Sequence, residues 1–212
     1  KHLGIEDSSY ENLGVKILAN SDDVIKNCNL LAKVNCPSDS EIQKLNEKMI
    51  LIGIFNPPKN TTKLKEILKK NVNIFSLELL PRISRAQSMD VLSSQSNLAG
   101  YRSVIDAIYE FEKAIPMMMT AAGTVPAAKV LVIGAGVAGL QAIATAKRLG
   151  AVVSATDVRV ASKEQVESLG GKFLTVEQSE NLETEGGYAK ETGEDFKKKQ
   201  AELMKDALKK NY

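Results

Sequence analysis

Val130-Leu131-Val132-Ile133-Gly134-Ala135-Gly136-Val137-Ala138-Gly139 decides the fold, because an apolar run, a glycine turn and a helix start follow one another without a gap. Consecutive apolar residues without alternation read as a strand covered on both faces, as in a parallel sheet. The glycines then fall at G-x-G-x-x-G spacing. Gly134 permits a tight turn, Gly136 lets the backbone approach a pyrophosphate, and Gly139 lets the next helix sit close to the strand. That helix, expected over 137–149, aims the N–H groups of Val137 and Ala138 and its positive dipole end at phosphates. The pattern is that of a dinucleotide seat.

Downstream context strengthens it. Gly150 stops the helix, Ala151 to Thr156 reads as a second apolar strand, and Asp157 stands at its end. Asp157 lies 18 residues beyond Gly139, close to the offset of about 20 for an acid that accepts from the adenosine ribose. A carboxylate there repels a 2′-phosphate, so the reading favours NAD(H) over NADP(H). The plainer role for Asp157 is a cap for the next helix. Val158 and Arg159 complete the strand end; an arginine here can serve a 2′-phosphate, and Asp157 outweighs it. A helix over 162–169, a Gly170-Gly171 turn and a third strand over 172–176 follow.

The pattern then lapses. Residues 177–193 are polar and acidic, with Gly186-Gly187 and a single aromatic, Tyr188, and are expected to form a mobile loop or a solvated insertion. A last amphipathic helix over 194–210 uses Phe196, Leu203, Met204 and Leu208. Only three strands succeed the start of this domain, which makes the first mononucleotide half of a Rossmann doubly wound sheet. The other half is expected to be truncated or missing from the sequence.

Upstream, apolar runs at 15–18, 30–34, 49–55 and 72–77 alternate with helical candidates at 21–28, 38–45 and 61–70, which is α/β rhythm. Ser21 and Ser38 are candidate N-caps, and Asn56-Pro57-Pro58 stops its strand. Residues 81–97 are polar and rich in hydroxyl and amide groups, as functional loops often are. Leu98, Tyr101, Ile105, Ile108, Phe111 and Ile115 recur at helical spacing, with Arg102 and Asp106 as an i,i+4 pair. The aromatics there read as core, except Tyr101, which can reach a ligand. The expected architecture is therefore two α/β domains, 1–95 and 116–212, joined by a long helix over 96–115, the second a truncated Rossmann sheet.

Bulk composition excludes several classes. A formal charge of +2 with 25% charged residues gives no basic excess pointing to nucleic acid. Cys28 and Cys36 match no metal-ligand spacing and fit a reduced compartment without a disulfide. Residues 114–146 carry only Lys129 as a charge, yet Pro116, Pro126 and the glycines break the run, so no membrane span is expected. The chain opens on Lys1-His2 with neither an initiator Met nor a signal-peptide pattern, as a fragment or a processed chain would.

Three segments carry a family resemblance: Arg82-Ile83-Ser84-Arg85-Ala86-Gln87-Ser88-Met89-Asp90-Val91-Leu92-Ser93-Ser94-Gln95-Ser96-Asn97-Leu98-Ala99-Gly100-Tyr101, Pro116-Met117-Met118-Met119-Thr120-Ala121-Ala122-Gly123-Thr124, and Gln141-Ala142-Ile143-Ala144-Thr145-Ala146-Lys147-Arg148-Leu149-Gly150-Ala151. They closely resemble the NAD(H)-binding component of proton-translocating nicotinamide nucleotide transhydrogenase, continuously from about Glu78 onward and more loosely before. The resemblance implies that the first strands and the later nucleotide domain are absent. It implies hydride transfer between NAD(H) here and NADP(H) on a partner component, coupled to proton movement through a transmembrane component. It also implies a homodimer, peripheral to a membrane on the mitochondrial matrix side or the bacterial cytoplasmic side.

Carried onto this chain, the resemblance places Arg82, Gln87, Asp90 and Ser93 at the nicotinamide end, with Tyr101 close by and Tyr188 as a lid residue. A glutamine can donate and accept toward a carboxamide or ribose, and Arg82 with Asp90 can fix the loop. Hydride exchange between two nicotinamides needs no protein acid or base, whereas an amino acid dehydrogenase needs a proton acceptor, most often a histidine. Alanine dehydrogenase, the related alternative, places that histidine at a first-domain strand end, here near Phe55 or Asn56. The only histidine is His2. Lys33 matches a substrate lysine of alanine dehydrogenase and, without the histidine, reads as structural. A non-catalytic NAD-binding fragment is the third reading.

Overall fold

The computed structural model describes residues 4–81, 83–175 and 193–211. The chain divides into two compact units, 1–91 and 92–212.

The first unit opens with two short helices, α1 (Asp7–Glu11) and α2 (Ser21–Lys26). Asn20, not Ser21, caps α2, its side chain accepting from the Asp23 N–H at 3.0 Å. The order continues with β1 (Leu30–Lys33), α3 (Asp39–Lys44), β2 (Ile50–Gly53), α4 (Thr61–Lys69) and β3 (Asn73–Ser76). The strands form a parallel sheet in the order β1-β2-β3, with Leu31 opposite Leu51 and Leu51 opposite Ile74. Ile25, Leu31, Ile42, Met49, Leu51, Phe55 and Ile67 close its core. Ser38 caps α3 in a reciprocal box with Glu41, which satisfies two donors that the helix start would otherwise leave unpaired. The 15–18 run is not a strand. Val15 and Ile17 stay exposed there.

After a 3₁₀ turn at Leu77–Leu79 and a second at Ser84–Met89, the helix α5 (Val91–Phe111) begins. The polar stretch expected as a loop to residue 97 is thus helical from Val91. Polar residues with good rotamer freedom accept a helix where one face packs, and the buried face of α5 runs through Gly100 and Val104. Tyr109 and Phe111, expected in the core, are exposed: Tyr109 points away from the face of Gly100 and Val104, and Phe111, on that face, stands at the last residue of the helix.

In the second unit a small antiparallel ribbon, β4 (Met118–Thr120) and β5 (Gly123–Val125), precedes β6 (Lys129–Ile133), α6 (Val137–Arg148), β7 (Val152–Thr156), α7 (Ser162–Ser168) and β8 (Lys172–Phe173). A final helix α8 (Glu194–Asn211) follows. The parallel sheet runs β6-β7-β8, the arrangement of a mononucleotide-binding half. Alanines at 142, 146, 151 and 155 bring α6 close to the sheet, where larger side chains would hold it off. β6 is an edge strand among the described residues; Val130, Leu131 and Val132 are half-buried on its two faces, and only its ends are exposed, Ile133 by 65%. The apolar 114–146 run resolves into this ribbon, strand and helix. No described helix is long and apolar enough to cross a membrane.

Candidate functional site

The glycine turn is built as its spacing requires. Gly134 sits at φ +93°, a left-handed value that L side chains avoid. A Cβ on Gly139 would lie 1.8 Å from the Gly134 carbonyl oxygen, so this position admits no side chain while α6 stays seated. Gly136 is the N-cap of α6 and supplies no side-chain cap. The Leu140 N–H donates to the carbonyl of the N-cap Gly136 at 2.8 Å, which closes the first turn. The N–H groups of Val137, Ala138 and Gly139 precede it in the first turn, where a helix has no intrahelical acceptors for them. A Cβ on Gly136 would meet nothing nearer than Arg159 Nη2 at 3.8 Å. Space therefore lies in front of donors with positive polarity, and it fits an anionic diphosphate.

Asp157 closes the other end of this cradle. It stands just beyond β7, and its carboxylate is almost wholly buried. Oδ2 accepts from the Ala135 N–H at 2.6 Å, inside the glycine turn. Oδ1 accepts from the Arg159 backbone N–H at 2.8 Å and from its Nε at 2.9 Å, while Nη2 donates to Oδ2 at 3.0 Å. Burial pushes the Asp157 carboxyl up, and the Arg159 and Ala135 donors outweigh that and hold it below the usual carboxylate range. Asp157 and Arg159, weighed against each other in the sequence, are thus one bidentate ion pair, with Val158 between them. Asp157 does not cap α7, whose N-cap is Ala161.

Gly100 of α5 is a close-approach position that sequence reasoning passed over. A Cβ there would lie 2.0 Å from the Ala138 carbonyl oxygen, so α5 packs directly against the first turn of α6. A glycine inside a helix, where alanine is the better helix former, was the available signal.

In the first unit, Gln87 is exposed on the Ser84–Met89 turn and Asp90 is half-buried after it. Ser93, half-buried, and Tyr101, about half exposed, belong to α5 in the second unit. Arg82, Tyr188 and the expected loop from residue 177 lie outside the described residues, as does Val176.

The root of the Gln87 turn holds a residue the sequence reading missed. Glu78 Oε1 accepts from the Phe55 N–H at 2.8 Å and also from the Asn56 N–H. Burial pushes the Glu78 carboxyl up, but the backbone donors, with those of Asn56 and Phe55 among them, and the nearby Ser76 hydroxyl bring it below its ordinary value. Its Oε2 is shut off from solvent, as is the Ser76 hydroxyl. No periodicity marks such a residue, because its partners are backbone groups 22 and 23 residues earlier.

Lys33, at the end of β1, is engaged by Glu41 at 2.6 and 2.5 Å. With Lys33 and the Ser38 N–H as donors, the Glu41 carboxyl is brought down to about 2. Beyond β2, Phe55 is fully buried and Asn56 takes a left-handed φ of +47°. Both cysteines are free thiols, and burial pushes Cys36 up.

Residues 1–99 match the N-terminal domain and residues 103–211 the C-terminal domain of alanine dehydrogenase/PNT. The chain is 54% identical over 213 residues to an NAD(P) transhydrogenase alpha subunit chain of Rhodospirillum rubrum, covering 97% of this chain and 56% of that one. It superposes on the crystal structure of transhydrogenase from Sinorhizobium meliloti with a TM-score of 0.84 at 49% identity, over 98% of this chain and 55% of that one. An L-alanine dehydrogenase structure, at 21% identity and a TM-score of 0.66, covers 80% of this chain and 48% of its own and shares the fold. The chain spans about half the length of the curated transhydrogenase alpha relatives from Rhodospirillum rubrum and Rickettsia prowazekii that it matches.

Proposed function

The chain belongs to the alanine dehydrogenase/PNT family, and from that membership we propose that it is the NAD(H)-binding part of a proton-translocating transhydrogenase. The observation that carries the reading is the cradle of Gly134, Gly136 and Gly139 closed by the Asp157–Arg159 pair. In the proposal Val137, Ala138 and Gly139 donate N–H groups to the pyrophosphate, and Asp157 accepts from the adenosine ribose. Its oxygens already accept four bonds. A ribose diol therefore takes the place of one of these donors, with Arg159 and Val158 shifting beside it.

When bound, the nicotinamide supplies the hydride chemistry. The chain's residues orient and exclude water: Gln87 meets the carboxamide or ribose, with Arg82, Asp90, Ser93 and Tyr101 shaping that end and Tyr188 closing over it. NADP(H) on a partner component, a transmembrane component that moves the proton, a homodimer, and a seat on the matrix or bacterial cytoplasmic face of a membrane complete the proposal. The test is reconstitution of the full-length protein with its NADP(H)-binding component. Hydride exchange between NADH and an NADP analogue is expected; its absence, with reduction of pyruvate in the presence of ammonia instead, refutes the proposal.

Gln87→Asn shortens the side chain by one methylene and is expected to slow hydride transfer about tenfold or more, while the NADH dissociation constant moves less than about threefold. Equal losses in both would make Gln87 a mere binding contact.

The alanine dehydrogenase reading is disfavoured by the first unit's strand ends. A fully buried phenylalanine and an asparagine stand where a catalytic histidine is required, and Lys33 is spent on Glu41. Lys33→Met is accordingly expected to leave hydride transfer within about twofold of the parent. A folded-state value lowered to about 2 for Glu41 means that its contribution is complete above pH 4.5 and is lost as pH falls toward 2. In acid titrations of stability, Glu41→Gln should lose about 1–2 kcal/mol of the decline the parent shows across that window, after allowance for solvent screening.

A further inference from the structure

We propose that Glu78 is a positioning residue for hydride transfer: by accepting the N–H groups of Phe55 and Asn56 it pins the root of the 81–90 segment to the end of β2 and sets where Gln87 stands. The inference rests on the proposed role of Gln87 at the nicotinamide.

The geometry is a short lever. Glu78 belongs to the Leu77–Leu79 turn that leaves β3, and Gln87 lies nine residues further on. Among the described residues between them, local backbone bonds run from the Leu80 N–H to Leu77, the Ile83 N–H to Pro81 and the Ala86 N–H to Ile83, at 3.2, 3.0 and 2.9 Å. Such bonds stiffen the segment without tying it to the sheet. Pro81 restricts it further by its fixed φ. Burial of Ala86 holds the middle of the segment, and the Glu78 carboxylate reaches across to β2 to hold its root. At the far end of that bridge, Phe55 is fully buried and Asn56 is itself held by the Lys59 and Asn60 N–H groups on its carbonyl, at 3.0 and 3.1 Å. The anchor point is thus rigid.

The chemistry of the anchor argues for position over stability. Burying a carboxylate is in itself unfavourable, and burial is what pushes the Glu78 carboxyl up. The charged group gains its place through Oε1, whose two donors converge on one oxygen and so define a point in space. Hydride transfer is sensitive to placement at this scale, since misplacement by about 1 Å can lower a rate about 100-fold.

The experiment uses the full-length protein with its NADP(H)-binding component and compares Glu78→Ala, Glu78→Gln and Gln87→Asn. Three quantities are read: amide exchange at Phe55 and Asn56 without nucleotide, the NADH dissociation constant, and the single-turnover hydride transfer rate. Glu78→Ala is expected to speed exchange at both amides, to slow transfer about tenfold or more, and to change NADH affinity less than about threefold. Glu78→Gln keeps an oxygen that accepts the same two N–H groups and should restore most of the rate. Faster exchange with an unchanged transfer rate overturns the proposal, as does a glutamine variant no better than alanine. Should Glu78→Ala fail to fold, Glu78→Asp withdraws the acceptor by one methylene and replaces it in each comparison. A slow Gln87→Asn with normal Glu78 variants refutes the anchor and keeps the role of Gln87. A normal Gln87→Asn refutes that role and, with it, the action of Glu78 through Gln87, whatever the Glu78 rates.

Discussion

Gly139→Ala is expected to unseat α6 and to abolish usable NADH binding. The added Cβ would lie 1.8 Å from the Gly134 carbonyl oxygen, a backbone atom that cannot rotate away. Either the helix start or the glycine turn must move. Overpacking of this kind destabilises by about 1–3 kcal/mol, and a backbone neighbour puts this case at or above the upper end. The first-turn N–H groups move with the helix. Losing two charge-assisted bonds of about 1.5 kcal/mol each weakens binding about 100-fold. The control is Gly136→Ala, whose Cβ meets only Arg159 Nη2 at 3.8 Å. That variant should melt like the parent and still lose NADH, because its methyl group occupies the space proposed for the pyrophosphate. Thermal unfolding and NADH fluorescence titration separate the two. Normal NADH affinity in both variants would remove the nucleotide from this cradle.

The second large effect is expected at Asp157. Alanine there strips the partner from a mostly buried guanidinium and leaves the Ala135 N–H without its carboxylate. Breaking a buried pair by removing one partner costs about 3–5 kcal/mol, most of it for the uncompensated charge. The double variant Asp157→Ala, Arg159→Ala removes that charge and should recover part of the loss, so a mutant cycle in urea is expected to show coupling of at least about 1 kcal/mol. The pH dependence has a definite sign. Because the folded-state value of Asp157 is lowered, its contribution is complete above the ordinary aspartate value near pH 4 and is lost as pH falls below it. Asp157→Ala should therefore remove that part of the acid-induced decline. In binding, NADH should weaken and selection against NADPH should relax. An unchanged preference between the nucleotides would refute the ribose role.

The segments of this chain legible in the sequence are those encoded within one element. The Val130–Gly139 stretch declares its strand, turn and helix start because the period changes from a continuous apolar run to glycines at fixed spacing. Ser38, a candidate N-cap, does start α3, and the Arg102–Asp106 pair falls at 2.7 Å as its spacing requires. Where several polar residues precede an apolar helix, composition favoured a loop, and the packing of Gly100 and Val104 drew the helix back to Val91. Likewise the 15–18 run had strand composition, yet it forms no strand and Val15 and Ile17 stay exposed.

By itself the sequence determined two α/β units and a Rossmann half with its glycine turn. Only the tertiary structure decided what those side chains do to one another. It made Asp157 and Arg159 a single ion pair on the Ala135 N–H, engaged Lys33 with Glu41, and carried Glu78 across to Phe55 and Asn56. The physical reason is range. Hydrophobic period, caps and turn residues act within a few positions. A carboxylate chooses its donors by distance in space: besides the neighbouring Arg159, Asp157 takes the Ala135 N–H 22 residues away, and Glu78 takes the Asn56 N–H 22 residues away, separations that no local pattern records.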